Sequence, residues 1–198
     1  MPPVSETGFR PPQQARSRES LQKVLAAAER VLAERGLDEF TVGAVAERAG
    51  LSVGAIYRRF DGKDQLLYAV KDQVLGQLEA SVGEALRAPA PGLAGVVGAF
   101  TGALAGTFGR HDRIFPELLD GQRADGRDRG LRALAAIQEA FVDAAGPQVE
   151  AERLRMVSRT IIGSCVHRAA SSRFWPDDLT WAAWATETTA MALAYLTG

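Results

Sequence analysis

Cysteine is nearly absent from this 198-residue chain: Cys165 stands alone, so no disulfide can close within it. Histidine is almost as scarce. His111 and His167 are the only two, and neither has a cysteine or carboxylate at metal-ligand spacing. His111 and Asp112 are adjacent, and adjacent helical residues do not face each other. Ser164 has no partnered base, and no glycine-rich phosphate loop is present. These gaps argue against a metal centre, a bound cofactor and a catalytic constellation. Neither sign of charge dominates. There are 23 Lys and Arg against 24 Asp and Glu, with 11 against 10 in residues 1–72 and 12 against 14 afterwards. Nucleic-acid binding through a global positive field is therefore excluded, and any DNA affinity must come from a local patch. Long apolar runs are missing too. The longest uncharged stretch, Ala88 to Gly109, opens with Pro89 and Pro91 and is dense in glycine. Its apolar part, Leu93 to Phe108, falls short of the ~20 residues a membrane span needs, so a buried helix is expected. Residues 1–14 lack the apolar core of a signal peptide, and their prolines and polar residues predict a disordered arm. The lone cysteine fits a reducing cytoplasm, the expected location.

What is present is helical periodicity. No strand-like alternation persists, and the fold expected is all-α, with about nine helices. The first runs from about Ala15 to Arg35, with Leu21, Val24, Leu25, Ala28, Val31 and Leu32 inward. Arg16 and Arg18 at its start are either DNA-backbone contacts or solvated charges. The fourth runs from Lys63 to about Leu86 on a stripe of Leu67, Val70, Val74, Leu78, Val82 and Ala85, and joins the two halves of the chain. The fifth, about Gly92 to Gly109, sets Gly95, Gly98, Gly102, Gly106 and Gly109 opposite Leu93, Val97, Phe100, Leu104 and Phe108. Each interior glycine costs about 0.8–1 kcal/mol relative to alanine. That face predicts close approach of a neighbouring helix first, a compositional bias toward glycine and alanine on a tolerant surface second, and room for a ligand third. A short sixth helix is expected near Asp112 to Asp120, an exposed loop at Gly121 to Arg129, and a seventh helix at about Asp128 to Ala145. The last two, about Pro147 to Ser171 and Pro176 to Leu196, carry more apolar and small residues than one buried stripe requires. A second buried face of that kind suits a two-fold, self-complementary interface. The other possibility is that the fifth and seventh helices of the same chain cover both faces.

Residues Thr41 to Lys63, TVGAVAERAGLSVGAIYRRFDGK, are the most informative. Thr41 caps a helix whose inward residues are Val42, Val45 and Ala46. Gly50 ends it, Leu51 plugs the gap that follows, and Ser52 caps a second helix reaching about Phe60. Ile56 and Phe60 pack inward. Val53, Gly54, Tyr57 and Arg58 face outward, with Arg59 at the edge. Small side chains at the start of that helix allow close entry into a major groove. Tyr57 has the length for a phosphate, Arg58 or Arg59 for a guanine or a phosphate, and Lys63 opens the next helix where an anion is favoured. The pattern is that of a helix-turn-helix reader. The bland alternative is a solvated helical hairpin with ordinary surface arginines.

The residues Phe40-Thr41-Val42, Val45-Ala46, Ala49-Gly50-Leu51-Ser52, Gly54, Tyr57, Phe60, Lys63, Leu66 and Leu67 closely resemble the tetracycline-repressor (TetR) family of transcriptional regulators. The resemblance covers residues 18–77. Gly43 departs from it, standing where the family more often has a larger residue. The C-terminal two-thirds carries no matching motif. The resemblance implies an all-α homodimer with an N-terminal three-helix helix-turn-helix domain and a C-terminal helical domain for ligand binding and dimerisation. Family members commonly pair through the last two helices.

The organisation expected is an arm at 1–14, a DNA-binding domain at 15–62, and a regulatory, effector-binding and dimerisation domain at 63–198. The DNA-facing set is Thr41, Ser52, Val53, Gly54, Tyr57, Arg58, Arg59 and Lys63. A cavity in the second domain would be lined by Phe100, Leu104, Phe108, Phe115, Phe141, Met156 and Trp175, with Ser164 or His167 as a polar contact. Such a lining favours a hydrophobic or aromatic effector. The function expected is a homodimeric repressor released from a pseudo-palindromic operator by that effector. An activator or an effector-independent regulator stays open. An all-α enzyme with a borrowed reader would need a convergent titratable cluster, and two isolated histidines argue against it.

Overall fold

The computed structural model describes residues 13–115, 118, 124–171 and 178–198. Among these residues there are eight α-helices, one short 3-10 turn and no strand. The fold is all-α, with an N-terminal helix-turn-helix unit followed by a helical body.

Three helices make the N-terminal unit. The first, α1 (Gln13–Arg35), begins two residues ahead of expectation, so Gln13 and Gln14 leave the predicted arm. It buries Val24, Leu25, Ala28, Val31 and Leu32 as its periodicity requires, with Leu21 half-buried. Gly36, at φ 71, ends it, and its N–H donates to the Leu32 carbonyl at 3.0 Å. Two short helices follow, α2 (Val42–Ala49) and α3 (Val53–Tyr57). They close with α1 over Phe40, Val45 and Ile56, all at most 1% exposed. Full burial of each such side chain contributes roughly 1.5–3 kcal/mol.

The body contains α4 (Lys63–Arg87), α5 (Gly92–Arg110), α6 (Ala124–Ala145), α7 (Ala151–Ser171) and α8 (Trp181–Thr197). α4 packs on α1 at one end and on α5 and α6 along the rest. Its buried residues are Leu66, Val70, Val74, Leu75, Leu78, Val82 and Leu86, while Leu67 and Ala85 are only half-buried. The stripe is broader than expected because the helix serves two different sets of neighbours. α5 lies at the centre, between α4 and α8, and also meets α6 and α7. Its length and composition would allow a bilayer crossing, so chain length does not exclude a span, contrary to the shorter apolar run in the sequence. Its side chains are instead committed to protein: Val97, Phe100 and Leu104 are 0% exposed.

The glycine face of α5 works differently from expectation. Close approach occurs only at its ends. A Cβ on Gly95 would lie 1.8 Å from the Ala90 carbonyl oxygen, and one on Gly109 would lie 3.0 Å from Trp181 Cδ1. Gly98 and Gly102 would meet nothing within 4 Å, and Gly106 only the Arg110 side chain at 3.7 Å.

The ends of several helices also move. The chain from residue 124 onward is already helical, where an exposed loop to Arg129 is expected. Arg129 explains this. Its guanidinium donates to both Glu79 oxygens at 3.0 and 2.8 Å and to Asp72 at 2.5 Å, fixing the start of α6 against α4. Before α7, Gly146–Gln148 forms a 3-10 turn with Gly146 at φ 64, and Val149 is extended, so Pro147 lies outside the helix. α8 starts at Trp181 rather than Pro176, because Thr180 caps it through the Ala183 N–H at 3.1 Å. The expected sixth helix lies partly outside the described residues. Within the described part, the Leu118 N–H donates to the Ile114 carbonyl at 3.0 Å.

His111 closes the end of α5. Its Nε2 donates to Gln77 Oε1 of α4 at 2.9 Å. Burial pushes its pKa below the ordinary value of 6.5, with Glu29 of α1 opposing the shift and Arg110 adding to it. A lowered folded-state pKa means the unfolded chain binds the proton more readily. Stability from this residue is therefore present above the ordinary histidine range and lost as pH falls through it. Denaturant unfolding at about pH 7.5 and about pH 5.5, either side of that range, is expected to show a larger acid-induced loss for the native chain than for His111→Gln.

Candidate nucleic-acid interface

The turn between α2 and α3 is fixed by backbone chemistry. Thr41 Oγ1 accepts from the Ala44 N–H at 3.1 Å, satisfying a free donor at the start of α2. At the other end Gly50 is left-handed, at φ 66. Its N–H donates to the Glu47 carbonyl at 3.2 Å, and the Leu51 N–H donates to the Ala46 carbonyl at 3.0 Å. That nested pair is a Schellman stop, and it directs Leu51 onto the core. Ser52 Oγ then accepts from the Ala55 N–H at 3.2 Å and starts α3.

α3 is shorter than the sequence suggests, ending at Tyr57 with Arg58 as its C-cap. The winding continues as a turn, in which the Phe60 N–H donates to the Ile56 carbonyl at 3.0 Å. Ile56 and Phe60 are buried. Ser52, Val53, Gly54, Tyr57, Arg58 and Arg59 are exposed, with Val53 at 43% and Tyr57 at 53%. An apolar side chain and an aromatic ring thus stand in solvent beside two arginines.

The three predicted cations have different surroundings. The Arg58 guanidinium makes no hydrogen bond or ion pair to the described residues. Arg59 donates from both terminal nitrogens to Ser17 of α1, to its carbonyl and to its hydroxyl, each at 2.9 Å. Lys63 turns back, and its Nζ donates to the Leu37 carbonyl at 2.7 Å. Elsewhere in the reader, Arg48 pairs with Glu34 and ties α2 to α1. Gln65 Oε1 accepts from the Asp61 N–H at 2.6 Å, supplying the cap that Gly62 lacks at the start of α4. A recess of about 170 Å³ lies between α1 and α3, lined by Ser20, Val24, Ala55, Ile56, Arg58, Arg59 and Phe60. Sequence periodicity does not reveal it, because its walls come from segments about 40 residues apart.

The residues expected to form an effector cavity fall into separate places. Phe100 and Phe141 meet at 4.6 Å between ring centroids, and Phe108 stacks on Phe115 at 3.9 Å. With Leu104 they form the interior of the body. Met156, at 51% exposure, and Ser164 instead face outward. They line a groove of about 240 Å³ between α7 and α8, with Thr160, Thr188, Met191 and Tyr195 among its other walls. Ser164 Oγ accepts from Trp184 Nε1 at 3.2 Å. His167 is exposed on α7. Trp175 lies outside the described residues. Among the described residues no three of His, Cys, Asp and Glu are grouped to hold a metal ion.

Fold and reader together define a DNA-binding transcriptional regulator of the helix-turn-helix type. Residues 24–70 match the family model described as bacterial regulatory proteins, tetR family, which supports a transcriptional regulator of that kind. No curated protein matches it. The solved fatty acid degradation regulator FadR of Bacillus halodurans is similar over 88% of this chain and 94% of its own, at TM-score 0.70 and 15% identity. FadR of Bacillus subtilis, solved in complex with stearoyl-CoA, covers 88% of this chain and 98% of its own, at TM-score 0.68 and 19% identity. The TetR family regulator PfmR of Thermus thermophilus covers 89% and 95%, at TM-score 0.65 and 20% identity. At these identities the likeness is one of fold.

Gly54 offers a direct test of the exposed face. It sits inside α3, yet a Cβ there would meet nothing within 4 Å. Gly54→Leu is expected to raise stability by about 0.5–1 kcal/mol through helix propensity. The same substitution is expected to weaken binding to duplex DNA roughly tenfold or more by blocking close entry into the groove. Thermal unfolding and an electrophoretic shift on one preparation check both.

Proposed function

We propose that this chain is a homodimeric repressor that occupies a pseudo-palindromic operator and leaves it when a small, mostly apolar molecule binds the body. One observation carries the reading: a solvent-exposed reading helix stands at one end of α4, and an uncovered apolar face stands at the far side of the body. Residues 15–62 serve as the reader and 63–198 as the regulatory and dimerising part. Thr41, Ser52, Val53, Gly54, Tyr57 and Arg58 meet the DNA, while Arg59 and Lys63 add positive charge at its edge. Arg58 takes a guanine edge or a phosphate, and Tyr57 takes a phosphate.

The partner on the α7–α8 face is a second copy of this chain. Met156, Met191 and Tyr195 are 51%, 67% and 49% exposed there, beside an apolar groove. α7 and α8 pack on α5 more than on each other, which leaves their outer faces free for the same pair from a two-fold mate. Symmetry then places two reading helices in major grooves about one helical turn, or a multiple, apart. Occupation of promoter DNA is enough to repress.

The effector reading rests on the aromatic interior. Phe100, Leu104, Phe108, Phe115 and Phe141 are buried there, so an apolar effector must part them to enter, and a long acyl chain, as on the stearoyl-CoA bound by the Bacillus subtilis FadR, is one suitable class. Met156 and Ser164 belong to the dimer face in this reading. The effector needs only to favour a tilt of α4 that spoils the operator spacing. The chain acts in the cytoplasm, where the DNA is.

Tyr57→Ala and Arg58→Ala are each expected to weaken binding to the chain's own upstream DNA by roughly tenfold, in line with about 1–3 kcal/mol per contact. Retention of full affinity by both in an electrophoretic shift refutes the reading face. Met191→Glu is expected to convert the dimer into monomers in sedimentation. Stearoyl-CoA and aromatic compounds, added to the preformed complex, are expected to release the DNA. If no member of the panel does so, an effector-independent regulator is favoured.

A further inference from the structure

The two adjacent arginines at the end of α3 differ in one respect: among the described residues Arg58 has no tether, whereas Arg59 is bound to α1. We propose that Arg59 is a positioning residue. By holding Ser17 it sets the start of α1 against α3 and builds between them a notch that grips one phosphate of the DNA backbone. This inference rests on the DNA-reading proposal above and adds a backbone contact from α1 to it.

The geometry of the tether matters more than its strength. Arg59 donates to the carbonyl and the hydroxyl of Ser17, each at 2.9 Å, across 42 residues of sequence. Both acceptors are neutral, so the guanidinium keeps its full charge. A guanidinium has five N–H donors in a planar fork, and three remain after these two bonds. Ser17, Ser20 and Val24 fall at helical spacing on one face of α1. The recess of about 170 Å³ beneath them is lined by Ser20 and Val24 from α1, and by Ala55, Ile56, Arg58, Arg59 and Phe60 from the reader. Among the described residues its lining therefore includes two arginines, one serine and no acidic residue. On α1 the neighbouring acid Glu19 pairs with Lys23 at 3.1 Å, and Asp61, next to Phe60, is not among the residues that line the recess. An anion fits this chemistry. The recess borders α3, whose exposed face is the one that enters the groove, so the anion available there is a phosphate flanking that groove.

The tether separates this role from general support. Ser17→Ala removes no charge and lies on an exposed part of α1. If the notch holds a phosphate, loosening it should release counterion-linked binding, although the net charge is unchanged. Operator affinity is measured across a series of salt concentrations for the native chain, Ser17→Ala, Ser17→Thr, Arg59→Lys and the Ser17→Ala/Arg59→Lys pair. Ser17→Ala is expected to weaken binding about three- to tenfold, and to lower the salt slope by about 0.9, the value of one phosphate contact. Ser17→Thr, which keeps the hydroxyl, is expected to restore both. Arg59→Lys keeps the charge but loses the fork, and the double variant is expected to be no weaker than the worse single one. Unchanged affinity and slope in Ser17→Ala and Arg59→Lys overturn the notch. So does a weakening that leaves the slope unchanged, because that marks mere structural support. Tyr57→Ala, run alongside, keeps the two claims apart. If it loses binding while Ser17→Ala does not, only the notch falls. If it too binds normally, the reading face itself is wrong.

Discussion

α4 is the constraint on which the rest of this molecule depends. It is the only covalent path from reader to body, and it is one unbroken helix of 25 residues. At 1.5 Å per residue it is about 37 Å long. It is also held from several sides. Gln73 donates to Glu29 of α1. Lys71 donates to the Leu118 carbonyl at 3.1 Å, Gln77 accepts from His111, and Asp72 and Glu79 hold Arg129. A rod held in this way cannot absorb a disturbance locally. A tilt of about 5° carries its far end through roughly 3 Å by simple lever geometry, a meaningful fraction of the tolerance with which two helices must match a duplex repeat.

The reader shows why a nearly neutral protein can still address DNA. Two of its carboxylates pair with cations within the chain, Glu34 with Arg48 and Glu19 with Lys23. Arg58 and Arg59 have no such partner among the described residues. Local cancellation of acids leaves a small positive area that whole-chain arithmetic hides. The body makes the opposite use of charge. Arg129 is 14% exposed and satisfied by two carboxylates, so it serves architecture.

The reader is legible in the sequence because its geometry is encoded by neighbours. Thr41, Gly50, Leu51 and Ser52 each act within five residues of their own position, and each does in the structure what its chemistry implies. The exposure of Val53, Tyr57 and Arg58 follows from helical spacing alone. Less is legible where distant segments decide. Nothing near Arg59 announces Ser17, and nothing near Lys63 announces the Leu37 carbonyl. Local pattern misplaces the start of α6 because Arg129 finds its carboxylates on α4, some 50 residues away. The glycines of α5 have the spacing of a packing face, yet contact forms only where Ala90 and Trp181 happen to lie. The expected effector set does not converge because periodicity gives the inward side of a helix but not which of two interiors it meets. Met156 and Ser164 share a helix with core residues and still belong to an outer groove.

The placement of the tryptophans has a practical consequence. The chain has three, at positions 175, 181 and 184, and none precedes residue 175. Trp181 packs 5.9 Å from the Phe108 ring and 5.7 Å from Trp184, where α5 meets the start of α8. Ultraviolet emission from tryptophan in this protein therefore originates wholly in the body, with no contribution from the reader. A spectral change on adding an oligonucleotide would be a label-free signal that an event at one pole had reached the other.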